Sequence, residues 1–186
     1  MKLFSPSTTS LLLLLLQSFL SSAQDKVHDK NSEHTNKHSI ALMLSHTQIN
    51  EGVNEQGKRQ WLSLPSWGIN YTYFIDGKWA VGLHSDIIIE DFVVESIGRS
   101  SQETIERSYP IATALVGLYK PTKHFSILAG SGMEITKEQN FFLVRFGLEY
   151  SYHFHDNWEL IANLVNDLKV NGYNSFGIGL GVAHHF

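Results

Sequence analysis

The sequence predicts an all-β fold, an eight-stranded, antiparallel, up-and-down transmembrane β-barrel over residues 38–186. Three observations support this prediction. Apolar and polar side chains alternate with a period of two along this range, and no stretch shows the 3.6-residue period of a long amphipathic helix. Tight turns alternate with longer polar connections, as in outer-membrane barrels. On most strands one face is bulky and apolar, whereas the other is small or polar.

The start of the chain has the pattern of an export signal over residues 1–23. Lys2 gives a basic start, and residues 11–16 are an unbroken run of leucine. This apolar run is too short for a membrane-spanning helix, and no later run is long enough. We therefore expect cleavage before Gln24, a flexible polar segment at 24–37 and a barrel at 38–186.

Composition excludes several classes of protein. The formal charge is −4 with no basic stripe, so a nucleic-acid partner is not expected. There is no cysteine, so an exported chain must be held together by packing or by closure of its backbone. His28, His34 and His38 could bind a metal ion, but their irregular spacing favours a solvated tail. We expect no metal and no cofactor.

Eight strands are predicted, with boundaries set by turn residues. In chain order they are 38–49, 61–75, 79–93, 108–119, 125–135, 141–154, 158–168 and 174–186. Three connections are tight, at 76–78, 120–124 and 155–157, whereas those at 50–60, 94–107, 136–140 and 169–173 are longer or more polar. An even number of strands puts both termini on the side of the tight turns, which is the periplasm in an outer-membrane barrel.

Side-chain volume decides which face of the strands looks outward. The sixth predicted strand alternates cleanly, with Phe142 to Phe154 on one face and Leu143 to His153 on the other. The interior of an eight-stranded barrel is only wide enough to be filled by side chains, so it cannot hold all the aromatic residues. The bulky face must therefore look outward, where a bilayer would cover it. In the fourth and fifth strands Ala112 and Leu128 make the second face apolar too, so the distinction is weaker there.

A soluble barrel with an apolar interior is the alternative. It would need a polar outer face, and the last strand would offer only glycines and Ala183 there. Aromatic residues also gather at two heights, as interfacial anchoring predicts. Near the tight turns lie Tyr73, Trp79, Tyr119, Phe125, Phe154, Trp158 and Phe186, and near the longer loops lie Trp61, Tyr109, Phe141, Tyr173 and Phe176.

The last ten residues, GIGLGVAHHF, carry a resemblance to a known family. They resemble the C-terminal recognition strand of the small eight-stranded outer-membrane barrels of Gram-negative bacteria, the OmpA/OmpX architecture. Gly181 and Phe186 match that pattern, whereas His184 stands where an apolar residue is more usual. The resemblance implies an outer-membrane location, contacts with outer-membrane lipid and lipopolysaccharide, and insertion by the barrel-assembly machinery. We further expect a monomer.

Strand pairing predicts which polar groups meet inside the barrel. If Phe154 lies opposite Trp158, Arg145 faces Asp167 and Glu149 faces Asn163. If Ile75 lies opposite Trp79, His84 faces Asn70, and a slip of one residue would put an outward residue opposite an inward one. The predicted lumen network consists of Asn70, His84, Asp86, Glu134, Arg145, Glu149, Asn163 and Asp167.

Two kinds of function remain open at this point. The first is a structural or surface-interaction barrel whose lumen is filled by a polar plug, with the polar loop 94–107 available to a surface partner. The second is a membrane-embedded lipid-modifying enzyme, like a lipid A deacylase or acyltransferase, or a lumen site for a small ligand or metal. His84 and Asp86 are the weak catalytic candidates, because they share a face. Ser66 faces inward on the neighbouring strand, but it pairs with Ile88, two residues beyond Asp86, which gives a poor triad. The His-x-Ser-Asn motif of the deacylases is not found. An eight-stranded barrel leaves no continuous water channel, so a pore is not expected.

Overall fold

The computed structural model describes residues 36–54, 56–95 and 104–186. The predicted signal peptide and most of the polar segment 24–37 lie outside these ranges. Within them, no helix is long and apolar enough to cross a membrane. The described residues form ten strands: β1 (His38–Val53), β2 (Arg59–Phe74), β3 (Trp79–Ile88), β4 (Asp91–Glu95), β5 (Thr104–Ser108), β6 (Ile111–Tyr119), β7 (Phe125–Ile135), β8 (Phe141–His155), β9 (Trp158–Lys169) and β10 (Asn174–His185).

Eight of these strands close into an antiparallel barrel. Each pairs with its neighbour in the order β1, β2, β3, β6, β7, β8, β9 and β10, and β10 returns to pair with β1 from Ser39↔His185 to Ile49↔Ser175. The backbones of His38 and Phe186 exchange two further hydrogen bonds at this seam, of 3.2 and 2.9 Å. The predicted fold class is confirmed, and closure satisfies the backbone hydrogen bonds that an open sheet would leave exposed.

The third predicted strand, 79–93, is wrong as a single strand. β3 leaves the barrel after Ile88, where two prolines flank it. The amides of Ile88 and Ile89 donate to the carbonyl groups of Pro110 and Pro65, both at 3.2 Å. Proline has no amide hydrogen to return, so the ladder ends on both sides of β3 at this level.

The chain beyond β3 forms a hairpin instead of the predicted loop 94–107. β4 pairs with β5 from Asp91↔Ser108 to Glu95↔Thr104, and Val94 pairs with Gly52 of β1. The predicted fourth strand, 108–119, therefore begins later, at Ile111. Tyr109 between β5 and β6 adopts a positive φ of 47°, which turns the chain from the hairpin back into the barrel. The tip of the predicted loop, residues 96–103, lies outside the described ranges.

The hairpin covers the loop end of the barrel with apolar side chains. Its buried residues pack with others from the barrel wall, and the cluster consists of Ile49, Leu64, Ile88, Phe92, Val94, Ile105, Phe141 and Tyr173. Two predicted lipid anchors belong to this cluster. Phe141 and Tyr173 are buried, with 2% and 0% exposure, so their assignment to the outer aromatic girdle is wrong.

The outward face is apolar around the barrel. Leu180 is 67% exposed, Leu115 66% and Trp67 53%. The aromatic residues near the tight turns contact one another in pairs, such as Trp79 with Tyr119, whose ring centroids are 4.8 Å apart. Inside, the ambiguous second face of β6 and β7 is a small apolar wall that includes Ala112 and Leu128, both buried.

Both predicted registers hold. Asn70 pairs with His84 across β2 and β3. Arg145 pairs with Asp167, and Glu149 with Asn163, across β8 and β9. The pairing at the turn itself differs from the prediction, because an irregularity between His153 and His155 sets His155 rather than Phe154 opposite Trp158.

The lumen as candidate functional site

A guanidinium group in the loop-side half of the lumen binds two carboxylates from two different strands. Arg145 on β8 is 1% exposed. Its Nε and one terminal nitrogen donate to the two oxygens of Asp167 at 2.7 and 2.8 Å. Its other terminal nitrogen lies 2.6 Å from Asp86 on β3. The bidentate geometry fixes the guanidinium plane, so three side chains from β3, β8 and β9 form one layer across the lumen.

An inward glycine makes room for this layer. Gly68 on β2 lies opposite Asp86. A Cβ atom at Gly68 would lie 2.6 Å from a carboxylate oxygen of Asp86. The absence of a side chain at Gly68 therefore allows Asp86 to reach Arg145.

A second charged layer lies closer to the loops and is centred on Glu134. Its carboxylate accepts hydrogen bonds from the Tyr173 hydroxyl, at 2.9 and 2.8 Å, and from Arg107. Lys169 lies 3.3 Å from the same carboxylate and donates to Ser175 at 2.6 Å. Two cations and one phenol thus surround one buried anion.

Arg107 brings the hairpin into this layer. It lies on β5, is fully buried, and also donates to the backbone carbonyl of Gln139. Its guanidinium carbon is 4.7 Å from the ring centroid of Phe141. Burial and the neighbouring Glu134 carboxylate raise the pKa of the Tyr173 phenol well above its usual value, so its hydroxyl stays protonated and donates.

Three members of this second layer were missed at the sequence level. Arg107 lay in a predicted loop, and no local pattern marks it. Lys169 directly follows the predicted seventh strand, and the alternation from Asn163 through Asp167 would have placed it inward if the strand had been extended by one residue. Tyr173 has the parity of the inward Ser175, but was assigned to the girdle by its height alone.

The turn-side half of the lumen is arranged differently. Asn70, His84 and Glu149 line one small cavity there, whereas Asn163 lines the cavity around Arg145. The Oδ1 atom of Asn70 and the Nε2 atom of His84 are buried without a hydrogen-bond partner within the described chain. The predicted network is therefore not continuous. Arg145, Asp86 and Asp167 meet directly, and Glu134 belongs to the layer closer to the loops. The other four predicted residues lie outside both charged layers, namely Asn70, His84, Glu149 and Asn163.

The weak catalytic candidates are not joined into a catalytic arrangement. Asp86 is engaged with Arg145, and His84 Nε2 has no hydrogen-bond partner among the residues that the structure describes. The hydroxyl of the inward Ser66 is hydrogen-bonded to that of Thr47 at 2.9 Å. A Ser–His hydrolase needs its hydroxyl and imidazole within hydrogen-bond distance.

The closed antiparallel barrel with its outward apolar belt has the fold of small eight-stranded outer-membrane β-barrels. No protein-family model matches the sequence, and no curated protein sequence matches it. Among solved structures, the chain is similar to Ail, the attachment invasion locus protein of Yersinia pestis, with a TM-score of 0.52 and 13% identity over 81% of this chain and 99% of that one. It is also similar to the outer membrane protein OprG of Pseudomonas aeruginosa, with a TM-score of 0.51 and 14% identity over 81% and 97% of the two chains.

Ail has also been solved in complex with the heparin analogue sucrose octasulfate. That structure matches with a TM-score of 0.51 and 12% identity over 80% of this chain and 97% of that one. At these identities the likeness concerns the fold, and activity varies widely on this scaffold.

Proposed function

We propose that the chain is a monomeric outer-membrane barrel with a structural or surface-interaction role, and that its lumen is closed by a polar plug. The observation that carries this proposal is the pair of charged layers in the loop-side half. Arg145 is held by two carboxylates, and Glu134 is held by Arg107, Lys169 and Tyr173.

Pairing of this kind favours a plug over an ion pathway or a catalytic centre. Charges taken out of water are costly unless they are paired and hydrogen-bonded, and here the partners are provided by the protein itself. A conducting pore must let ions exchange with lumen groups, whereas bidentate guanidinium pairs hold their partners in place. The apolar cluster under the β4–β5 hairpin covers the same end of the lumen.

The outward face supports an outer-membrane location with periplasmic termini. The apolar side chains exposed around the barrel would form a very large hydrophobic surface in water, whereas lipid and lipopolysaccharide would cover them in the membrane. In this orientation the β4–β5 hairpin lies at the cell-surface end of the barrel, where a partner would meet its exposed face. Export by the signal peptide at 1–23 and insertion by the barrel-assembly machinery complete the proposal.

Cell fractionation and electrophoresis test the location. We expect the chain in the outer membrane, with heat-modifiable mobility on gels as a closed barrel gives. A soluble periplasmic monomer that needs no detergent would contradict the proposal.

Conductance and lipid chemistry test the plug. In planar bilayers the folded protein is expected to show no stepwise conductance, and incubation with lipopolysaccharide should leave the mass of lipid A unchanged. Steady conductance would contradict the plug. Loss or gain of an acyl chain on lipid A would establish the enzymatic alternative in its place.

A pair of matched variants tests the assembly signal. Phe186 and Phe154 are exposed to almost the same degree, 50% and 51%, and both lie at the turn end of the barrel. If Phe186 is part of the recognition strand, Phe186→Ala should reduce the amount of folded protein in the membrane far more than Phe154→Ala. Equal losses would mean that Phe186 acts only as an interfacial anchor.

A further inference from the structure

Three side chains at the turn end of the lumen bring metal-ligating atoms together. His153 lies near the end of β8, Glu159 near the start of β9, and His185 at the end of β10, so the three come from adjacent strands. One ligand atom from each can be chosen so that all lie within 4.8 Å of one another. His153 Nδ1 is 3.4 Å from one oxygen of Glu159, and His185 Nε2 is 3.0 Å from the other.

The separations fit the coordination shell of a transition metal. Bonds of about 2.0–2.1 Å in a tetrahedral site put neighbouring ligand atoms about 3.3 Å apart. The two imidazole rings are stacked with their centroids 5.4 Å apart, so both present an edge to the same carboxylate. Two histidines with one glutamate form a ligand set that binds zinc and leaves a fourth position open.

The cluster is buried on one side and open to solvent on the other. Glu159 and His185 are each 3% exposed, whereas the side chain of His153 is 35% exposed. An ion would therefore enter past His153 from the turn end and reach two ligands that are already held in place. Asn157 helps to hold them, because its carbonyl accepts the backbone amide of His185 at 2.8 Å.

The charge of the surrounding lumen favours a cation. Glu149 and Glu159 line the turn-side cavity together, and Lys120 is the lysine that lines it. The Lys120 ammonium lies 4.5 Å from the ring centroid of Phe74. Among the described residues that line this cavity there is no arginine, in contrast to the Arg145 layer above it. The Glu159 carboxylate lies within 3.4 Å of both imidazoles and provides the negative charge that a cation needs.

From this geometry we propose that His153, Glu159 and His185 form a binding site for a divalent transition-metal cation of the zinc type. His153 binds through Nδ1, His185 through Nε2, and Glu159 through its carboxylate, with water in the fourth position. The ion joins the ends of three consecutive strands next to the seam between β10 and β1. Metal binding therefore stabilises the barrel by mass action. The site does not depend on the plug or on a surface partner.

Metal titration of the tag-free, refolded barrel tests the site. The protein is first treated with a chelator and then titrated with Zn²⁺ by calorimetry and with Co²⁺ by visible absorption. We expect one ion per chain, a Co²⁺ spectrum of low coordination number, and a higher urea midpoint with Zn²⁺ than without it. Absence of Zn²⁺ binding to the folded wild-type barrel would overturn the proposal and leave the cluster as a histidine–carboxylate ion pair.

Variants locate the ion. Loss of a second-shell partner typically weakens metal binding by about 10–100-fold, so His185→Gln and Glu159→Gln, which remove direct ligands, should weaken it at least as much. His184→Gln is the matched control, because His184 is the next residue and contacts Trp158 outside the cluster, with ring centroids 4.7 Å apart. Heat-modifiable mobility shows whether each variant is folded, and His153→Gln at the exposed rim serves if a buried variant is not.

The polar N-terminal segment provides the last control. It contains His28 and His34, so a double variant, His28→Gln with His34→Gln, separates that segment from the cluster. Unchanged Zn²⁺ affinity in this double variant supports the cluster. Binding that survives in His185→Gln and disappears in the double variant would overturn the proposal.

Discussion

The two halves of the lumen hold their buried polar side chains with different chemistry. The loop-side half contains Arg145, Arg107 and Lys169, each within ion-pair distance of a carboxylate. The turn-side half has histidines and carboxylates with Lys120 beside them, and within the described ranges the buried His84 Nε2 has no hydrogen-bond partner. The first half is held by buried ion pairs between cations and carboxylates. The second half is built from groups that can exchange protons or bind metal ions.

This difference indicates different roles for the loop-side and turn-side halves of the lumen. If the proposed plug is present, the loop side stays closed, because breaking any one pair leaves a buried charge behind. We expect the turn side to be rearranged at lower cost, because an imidazole can also exist as a neutral group. Substitutions in the two halves of the lumen test that contrast.

Arg145→Met should have the largest effect. It removes the shared partner of Asp86 and Asp167, and breaking one side of a buried pair typically costs about 3–5 kcal/mol. The measurement is the urea midpoint of the refolded barrel. Combining Arg145→Met with Asp167→Asn should recover part of the loss, since the anion is then removed together with the cation.

His84→Leu is the turn-side counterpart. His84 is buried, and no described residue is hydrogen-bonded to its Nε2, so an apolar side chain should cost far less there than at Arg145. If Arg145→Met leaves the urea midpoint unchanged, the plug explanation fails. The lumen charges would then serve something other than stability, and a site around His84 and Asp86 would gain support.

Arg107→Met should have the next largest effect, and it should be local. Its loss leaves Glu134 with Lys169 and Tyr173, so the expected cost is about 1.5–3 kcal/mol, the range for hydrogen bonds to charged groups. Because Arg107 anchors the hairpin to the barrel, the backbone amides of β4 and β5 should exchange faster with deuterium. If protection in β4 and β5 equals that of wild type, the apolar cluster alone holds the hairpin.

Gly68→Ala should cost about 1 kcal/mol, the centre of the range for single substitutions. The new methyl group would lie 2.6 Å from an oxygen of Asp86, so that carboxylate must move away from Arg145. Gly177→Ala is the matched control, because its Cβ would meet nothing closer than the Val165 carbonyl at 3.9 Å. Both are measured by urea unfolding, and equal midpoints for the two variants would argue against a specific role for Gly68.

Asp76→Ala should have the smallest effect, with a distinctive dependence on pH. The backbone amides of Lys78 and Trp79 donate to Asp76, both at 2.7 Å, and lower the pKa of its carboxyl from its ordinary value. A lowered folded-state pKa stabilises the fold above the unfolded value, and this contribution is lost as the pH falls through the folded value. The small difference between wild type and Asp76→Ala should therefore be present at neutral pH and vanish in strong acid. A difference that persists in strong acid would mean that the charge is not involved.

Much of the barrel could be predicted because alternation with a period of two leaves each side chain only two possible faces, inward or outward. Once the turn at 76–78 fixed its register, the partner of His84 followed, and the register of β8 and β9 gave the Arg145–Asp167 pair. The same parity would have placed Phe141 and Tyr173 inside, because Phe141 shares the face of Arg145. Both residues were predicted to be lipid anchors because only their height along the barrel was used, and not the face of the strand on which each lies.

The hairpin could not be predicted in the same way. Its position depends on tertiary contacts, such as the pairing of Val94 with Gly52 and the anchor formed by Arg107. The break after Ile88 needs Pro65 and Pro110 at one height on both sides of β3, and only the assembled sheet brings them together. The histidine cluster combines three strand ends, so no local motif marks it.

The seam between β1 and β10 has a consequence for the order of folding. Ser39 pairs with His185, so the first and last strands of the barrel must find each other across almost the whole described chain. Contacts this distant in sequence form slowly, and the chain carries two unsatisfied strand edges until they form. Closure of the seam is therefore expected to be the last step. During that interval the nascent barrel is open to capture by a template strand from another protein or to misassembly with a second copy.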